Sequence, residues 1–255
     1  MSTQLHTVHL SLGYQKPLFT DLNLLLPEQC LICLIGRNGA GKSTLLRTLS
    51  GMKKPLAGDI FLDGKTMSKM SEKEIAKRMS VVLTDPVKVP YMTVEDLVIF
   101  GRYPHFGGVV KMTPEDAAIV STAIHKTGIE HLKTRQLTTL SDGERQKAIL
   151  ARSLAQQTDF IILDEPAAFL DFPSKIELMQ LLKQLVKQHS KAILLSTHDL
   201  EMSIAISDML WLIDNCGNII TGTPEELIEN QTIEKTFNIS SSFFKQTFQY
   251  YKSIY

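Results

Sequence analysis

Short apolar runs separated by turn residues dominate the first third of the chain. LHTVHLSLGY, DLNLLLP, CLICLIG and GDIFLDG have strand-like lengths and are bounded by glycine, proline or polar residues. DLNLLLP is predicted to be one strand because apolar residues occupy its alternate positions. A capping box of Ser71 and Glu74 predicts a short helix after these runs, and SVVL predicts a further strand. The pattern thus indicates a strand-rich first third.

The pattern becomes helical between residues 91 and 157 and then returns to strands. Helix-starting residues precede three amphipathic segments: Thr93, Thr113 and Ser141. FIILDE and AILLST follow as apolar runs typical of parallel strands, separated by the helical SKIELMQLLKQLVKQ. The apolar stripe of that helix lasts barely two heptads, which favours packing on a sheet over a coiled coil. Alternating strands and helices predict an α/β fold with a mainly parallel sheet and an inserted helical segment.

Composition limits the classes of function. The 255 residues are 44% hydrophobic and carry 27 basic and 27 acidic side chains, so no net charge attracts nucleic acid or an anionic membrane. The apolar runs are shorter than the roughly 20 residues of a spanning helix, and the N-terminus lacks the blocks of a signal peptide. The protein is therefore expected in the cytosol, without nucleic acid as a partner.

A C-x-x-C pattern raises the question of redox or metal chemistry. Cys30 and Cys33 lie within the predicted strand EQCLICLIG. Side chains three residues apart on a strand point to opposite faces, with Cα atoms about 10 Å apart, which is too far for a disulfide. We expect both cysteines to be packing residues.

The segment GRNGAGKST carries the first candidate chemistry. Gly36, Gly41, Lys42 and Ser43 match the phosphate-loop pattern G-x-x-x-x-G-K-S between a predicted strand and a predicted helix. Its backbone N–H groups and helix N-terminus attract phosphate oxygens, Lys42 can reach the β- and γ-phosphates, and the Ser43 hydroxyl can bind Mg²⁺.

The apolar strand FIILDE delivers two carboxylates at its carboxyl end, where open α/β sheets bind ligands. Asp164 is expected to hold Mg²⁺ through its water shell. Glu165 should face the other way and act as the general base that polarises the attacking water.

Five segments in order resemble the nucleotide-binding domain of ATP-binding cassette (ABC) proteins: GRNGAGKSTLL, LSDGERQ, ARSLA, ILDEPAAFLD and LLSTHDLE. The resemblance covers nearly the whole chain. It implies a P-loop NTPase core with an N-terminal antiparallel β subdomain, over residues 1–86 and 158–255. It also implies an inserted α-helical subdomain, over residues 87–157, that carries the signature motif.

The resemblance further implies roles for individual residues. Ser141 and Gly143 of the signature would meet ATP bound by a second copy, so that two chains close head to tail over two nucleotides. Asp171 would lie across that interface, His198 would contact the γ-phosphate, and Tyr14 would stack on adenine unless nearby Phe19 does so. The implied ATP-binding residues are Tyr14, Gly36, Asn38, Gly39, Ala40, Gly41, Lys42, Ser43, Thr44, Ser141, Gly143 and Asp171.

Two positions depart from the family pattern. The signature reads LSDGE, which brings Asp142 and Glu144 near an anionic ligand, and the capping box should turn Glu144 back toward Ser141. Thr84 stands where the family has a glutamine that contacts Mg²⁺, and it is expected to reach the metal only through a water.

The segment MTVEDLVIFGRYPHFGG resembles importers of iron-siderophore complexes, haem and cobalamin, and its residues are expected to touch permease helices. The resemblance thus implies an ATPase subunit on the inner face of the cell membrane. Its implied partners are an integral membrane permease and, indirectly, a periplasmic or extracellular substrate-binding protein. The alternative is the soluble ABC ATPase of an iron-sulfur cluster assembly scaffold.

Overall fold

The computed structural model describes residues 4–83, 89–107 and 111–239, whose strands form two sheets. The first sheet contains the N-terminal strands β1 (Gln4–Gly13), β2 (Pro17–Leu22), β3 (Leu25–Pro27), β5 (Ala57–Leu62) and β6 (Lys65–Thr66). The second contains β4 (Leu31–Ile35), β7 (Met79–Val82), β8 (Phe160–Asp164), β9 (Ala192–Thr197), β10 (Met209–Ile213) and β11 (Ile219–Gly222). The predicted α/β architecture is confirmed, because the first sheet is antiparallel and the second is mainly parallel.

The prediction that DLNLLLP forms one strand is wrong. The chain pairs with β1 twice, as β2 and as β3, and leaves the ladder between Leu22 and Leu25. The Thr7 hydroxyl fills this gap by donating to the Leu22 carbonyl at 2.9 Å and accepting from the Leu24 N–H at 2.8 Å. Asp21 has a φ of 56°, which bends the chain before the break. A buried side chain therefore replaces backbone pairing that alternation alone could not foresee.

The second sheet has the order β11-β10-β4-β9-β8-β7, so β4 and β8 lie on either side of β9. Residues along β4 enter opposite cores in alternation. Cys33 packs into the cluster on one face and Cys30 into the cluster on the other, as expected for packing residues. Burial raises the pKa of Cys30 to about 11 and that of Cys33 to about 12, so both thiols stay protonated.

Helices cover both faces of the second sheet and form the insertion. They are α1 (Lys42–Leu49), α2 (Glu72–Ala76), α3 (Val94–Phe100), α4 (Pro114–Lys126), α5 (Asp142–Ala155), α6 (Phe172–His189), α7 (Leu200–Ile206), α8 (Pro224–Glu229) and α9 (Thr232–Phe237). The capping boxes of α2 and α5 confirm the sequence interpretation of Ser71 and Ser141. Within the described ranges, no helix has the length and apolar character needed to cross a bilayer.

Three helices of the insertion, α3, α4 and α5, pack on one another and extend the core cluster of the sheet. The boundaries at residues 87 and 157 stay a prediction, since residues 84–88 lie outside the described ranges. Strand β4 delivers the phosphate loop to α1, and the neighbouring strands β8 and β9 deliver polar side chains to the same edge.

Candidate nucleotide site

The loop between β4 and α1 has a backbone that only glycine fits at its end. Gly41 has a φ of 97°, and a Cβ there would lie 2.8 Å from Cε2 of Phe19. Gly39 has a φ of 79° and would meet nothing within 4 Å, so this part of the loop is open. A Cβ on Gly36 would lie 3.0 Å from Cβ of Ile213, and Ala40 packs partly against the core. The loop therefore rests on the core and leaves one side open for a ligand.

Lys42 points back across the loop. Its Nζ donates to the Gly36 carbonyl at 2.9 Å and to the Arg37 carbonyl at 3.4 Å, and it lies 3.4 Å from Oε1 of Glu165. The side chain is only 7% exposed, so its charge acts in a poorly solvated setting. An ammonium held at the mouth of a helix N-terminus is suited to bind phosphate oxygens.

Residues at the ends of β8 and β9 position the two carboxylates. The Ser196 hydroxyl donates to Oδ1 of buried Asp164 at 2.6 Å and accepts from the Glu165 N–H at 2.9 Å. Glu165 has a φ of 50°, and its Oε2 lies 2.8 Å from Nδ1 of His198. The turn at Glu165 carries its carboxylate to both Lys42 and His198. Ser196 was not singled out from the sequence, although it precedes His198 on a strand that ends at the same edge.

A cleft of about 520 Å³ lies beside the phosphate loop. Its lining residues are Tyr14, Leu18, Asn38, Gly39, Gly41, Lys42, Ser43, Thr44 and Glu165. Tyr14 is 63% exposed at one end of the cleft, and Nζ of Lys53 lies 4.0 Å from its ring centroid. Phe19 is 2% exposed beneath the loop, so it cannot stack on a ligand, and Tyr14 is the aromatic side chain open to the cleft. The sequence does not predict the contact of Lys53 with Tyr14, because nothing in the spacing of the two residues links them.

The signature residues do not line this cleft in the same chain. Ser141 caps α5, and the Glu144 carboxylate turns back to accept from the Ser141 N–H at 2.8 Å. That hydrogen bond is the main reason that the pKa of Glu144 is lowered. The Asp142 carboxylate accepts from Nη1 of Arg145 at 2.7 Å, so a neighbouring cation offsets the charge that the sequence left unexplained.

The remaining predicted residues lie in three different settings. Gly143 lies in the first turn of α5, and a Cβ there would meet the Ser174 Oγ at 3.0 Å. Asp171 caps α6 by accepting from the Ser174 N–H at 3.1 Å. Thr84, the predicted water-mediated contact to Mg²⁺, lies outside the described residues.

The GRYPH block only partly fits the expectation that it touches a permease. Arg102 is 5% exposed and His105 is bonded to the Gln156 carbonyl, so both face the interior of the insertion. Tyr103 and Phe100 are exposed and can take part in a surface contact. Arg102 and His105 bond carbonyls at the end of α5, and the contact of this segment with a permease stays a prediction.

The chain is similar to known proteins over more than nine-tenths of its length. Residues 19–168 match the family model described as ABC transporter. An uncharacterized ABC transporter ATP-binding protein of Methanocaldococcus jannaschii is 36% identical over 97% of this chain and 86% of its own length. The iron(3+)-hydroxamate import ATP-binding protein FhuC of Bacillus subtilis is 36% identical over 93% of this chain and 88% of its own. A chain from a metal-chelate type ABC transporter in an inward-facing conformation superimposes with a TM-score of 0.82, at 26% identity, over 93% of this chain and 90% of that one.

Proposed function

This chain belongs to the ABC transporter family and is an ATPase of that type, and we propose that it drives import of an iron-siderophore, haem or cobalamin-type substrate. The convergence of Lys42 and Glu165 on one cleft, with His198 in contact with the Glu165 carboxylate, carries the proposal. The printed name of the Bacillus subtilis relative supports the iron-siderophore class. These relatives do not support the iron-sulfur scaffold alternative, since the functional names among them refer to transport.

ATP binds in the cleft with its base near Tyr14 and its phosphates at the loop. The exposed Tyr14 ring offers one face to adenine, while Lys53 covers part of the ring from another side. The open backbone at Gly39 lets phosphate oxygens approach the loop N–H groups, and Lys42 exchanges its carbonyl partners for the β- and γ-phosphates. Asn38 and Thr44 complete the lining.

Hydrolysis depends on the Glu165 carboxylate. It accepts a proton from the attacking water, and its position is fixed by the Ser196 contacts to its own N–H. Nδ1 of His198 lies 2.8 Å from Oε2 of Glu165, and when both ring nitrogens carry hydrogen, Nδ1 donates to Glu165 and Nε2 donates to the γ-phosphate. Because Nζ of Lys42 lies 3.4 Å from Oε1 of Glu165, phosphate binding and proton transfer share one electrostatic environment.

The residues present fit Mg²⁺. Ser43 offers an exposed hydroxyl in the cleft, and Asp164 is held in one orientation by Ser196. In the described part of the chain, no group of three or more His, Cys, Asp or Glu side chains is suited to a metal ion. Such a sparse oxygen set suits Mg²⁺, which takes its other ligands from water and phosphates. When bound, the ion neutralises charge on the β- and γ-phosphates.

A second copy of the chain completes the site. Ser141 and Gly143 lie at the N-terminus of α5 and are not among the residues that line the cleft of their own chain, which is consistent with service to the cleft of a partner. That helix N-terminus supplies positive potential to the γ-phosphate of the partner's ATP, and Asp171 lies in the interface. ATP therefore closes a head-to-tail homodimer over two shared sites.

Dimer closure acts on a membrane permease. The exposed Phe100 and Tyr103 of the insertion contact its helices, and the chain works on the inner face of the membrane. A periplasmic or extracellular binding protein delivers the substrate to the permease. We further propose that Thr84 would reach a bound Mg²⁺ through water and would report the nucleotide state to the permease.

Uptake by the native organism tests the proposal. Cells that lack this chain are supplied with ⁵⁵Fe-hydroxamate, haem or ⁵⁷Co-cobalamin, and uptake is compared after complementation with the wild-type or the Lys42→Ala chain. We expect uptake of one substrate to depend on the wild-type chain and to fail with Lys42→Ala. Unchanged uptake of all three, together with loss of iron-sulfur enzyme activity, would instead establish the scaffold function.

A further inference from the structure

Strand β7 forms one end of the parallel sheet and carries carbonyl groups along its open edge. The Arg78 carbonyl just before it faces β8, because it accepts from the N–H groups of Asp159 and Phe160. Successive carbonyls alternate in direction along a strand, so those of Met79 and Val81 point away from β8. Unpaired carbonyls at a buried edge require other donors.

Side chains of α5 supply those donors. Nε2 of Gln156 donates to the Met79 carbonyl at 3.0 Å and to the Ala76 carbonyl at 2.6 Å. Nη2 of Arg152 donates to the Val81 carbonyl at 2.7 Å. Four residues along a helix span about 6 Å, and two along a strand span about 6.6 Å, so the two spacings match. We call these contacts of Arg152 and Gln156 the α5 clamp.

The same end of α5 is also held from within the insertion. Nε2 of His105 lies 2.9 Å from the Gln156 carbonyl, and Nη1 of Arg102 donates to the Ala155 carbonyl at 2.8 Å. Gln156 is thus bonded through its backbone to the insertion and through its side chain to the core. It is 8% exposed, so water does not readily replace these bonds.

We propose that Arg152 and Gln156 are positioning residues, which fix the orientation of the signature helix relative to strand β7. The inference rests on the proposed function, because it assigns the clamp an effect on the partner's ATP site.

The length of α5 determines how far a tilt at its clamped end displaces the signature. Helix α5 has 14 residues and is therefore about 21 Å long. A tilt of about 3° at its clamped end would move the signature end by about 1 Å, and a misplacement of about 1 Å can cost 10²-fold in rate. Since Lys42 and Tyr14 do not depend on α5, ATP binding by the single chain should be unaffected.

Matched glutamine substitutions test the role of Gln156. Gln156→Met keeps the shape but removes both donors, whereas Gln157→Met makes the same change at the next residue, which bonds Arg102 and not β7. We expect kcat to fall at least about tenfold in Gln156→Met, with the ATP Kd of the single chain within about twofold. Gln157→Met should stay within about twofold in both quantities.

A conservative pair at Arg152 provides a second test, which also serves if Gln156→Met does not fold. Arg152→Lys keeps a donor for the Val81 carbonyl, and Arg152→Met does not. We expect the lysine variant to retain most of the wild-type kcat and the methionine variant to lose it. Equal losses in both variants, with unchanged melting temperatures, would overturn the role of this bond.

Distance measurements report the orientation of the helical insertion relative to α6. Spin labels are placed at exposed Ser121 on α4 and Gln180 on α6 in a Cys216→Ser background, since Cys30 and Cys33 are buried. The label-to-label distance distribution should widen or shift in Gln156→Met and not in Gln157→Met. An unchanged distribution and unchanged kcat in Gln156→Met overturn the clamp, whereas a wild-type chain without ATPase activity overturns the proposed function instead.

Discussion

Replacement of Glu165 by glutamine isolates its proposed role in proton transfer. The amide keeps the length of the side chain and can still accept from Nδ1 of His198, which lies 2.8 Å from Oε2. It also removes the negative charge 3.4 Å from Nζ of Lys42. Lys42 keeps its bonds to the loop carbonyls, which do not involve Glu165, and stays available to phosphates. The change therefore removes the base with little effect on the phosphate loop.

The expected loss follows from general-base catalysis. Removal of a positioned base costs roughly 10²- to 10⁴-fold, which corresponds to about 2.7 to 5.4 kcal/mol in the activation barrier. ATP hydrolysis by the purified chain is measured by phosphate release, and ATP affinity is measured separately by a fluorescent analogue. We expect kcat to fall within that range, the Kd to stay within about threefold, and the ATP-bound dimer to accumulate on gel filtration.

Glu177→Gln is the matched control, because this exposed carboxylate on α6 contacts only Lys147 among the ion pairs described. It should leave kcat within about twofold of wild type. Turnover of Glu165→Gln at a rate close to wild type would refute the assignment of the base. A large loss of ATP affinity in the same variant would show instead that Glu165 acts in binding.

Three further predictions concern other parts of the molecule. Lys42→Ala should raise the ATP Kd roughly tenfold to a hundredfold, because it removes a charged donor to the phosphates; an unchanged Kd by titration calorimetry would contradict the phosphate site. Lys53→Met should raise KM for ATP by about two- to fivefold without changing kcat, because it removes a cation–π contact to Tyr14, and Lys54→Met is the control. Hydrogen bonds from Thr113, and then the Arg102 contact, lower the pKa of Asp116 from 3.8 to about 2. The contribution of Asp116 to the free energy of unfolding is thus complete above about pH 4 and is lost as the pH falls toward 2. Chemical denaturation across that range should show that the free energy of unfolding depends less on pH in Asp116→Asn than in the wild type. Identical profiles would show that this carboxylate does not contribute to the pH dependence.

Local signals in the sequence determined much of the fold and the parts of the site on single elements. The phosphate loop, the β8 carboxylates and the α5 cap each depend on residues within a few positions, so spacing and capping rules suffice. The prediction that DLNLLLP forms one strand was wrong because Thr7, distant in the chain, fills the gap between β2 and β3.

Only the tertiary structure decided which side chains meet. Ser196 reaches Asp164 across neighbouring strands, Lys53 lies over Tyr14, and Gln156 joins α5 to the edge of β7. Sequence spacing does not predict any of these contacts, because each depends on strand order and on how helices pack against the sheet. The sequence by itself thus determined which groups could bind and hydrolyse ATP, and packing determined how those groups are held in place.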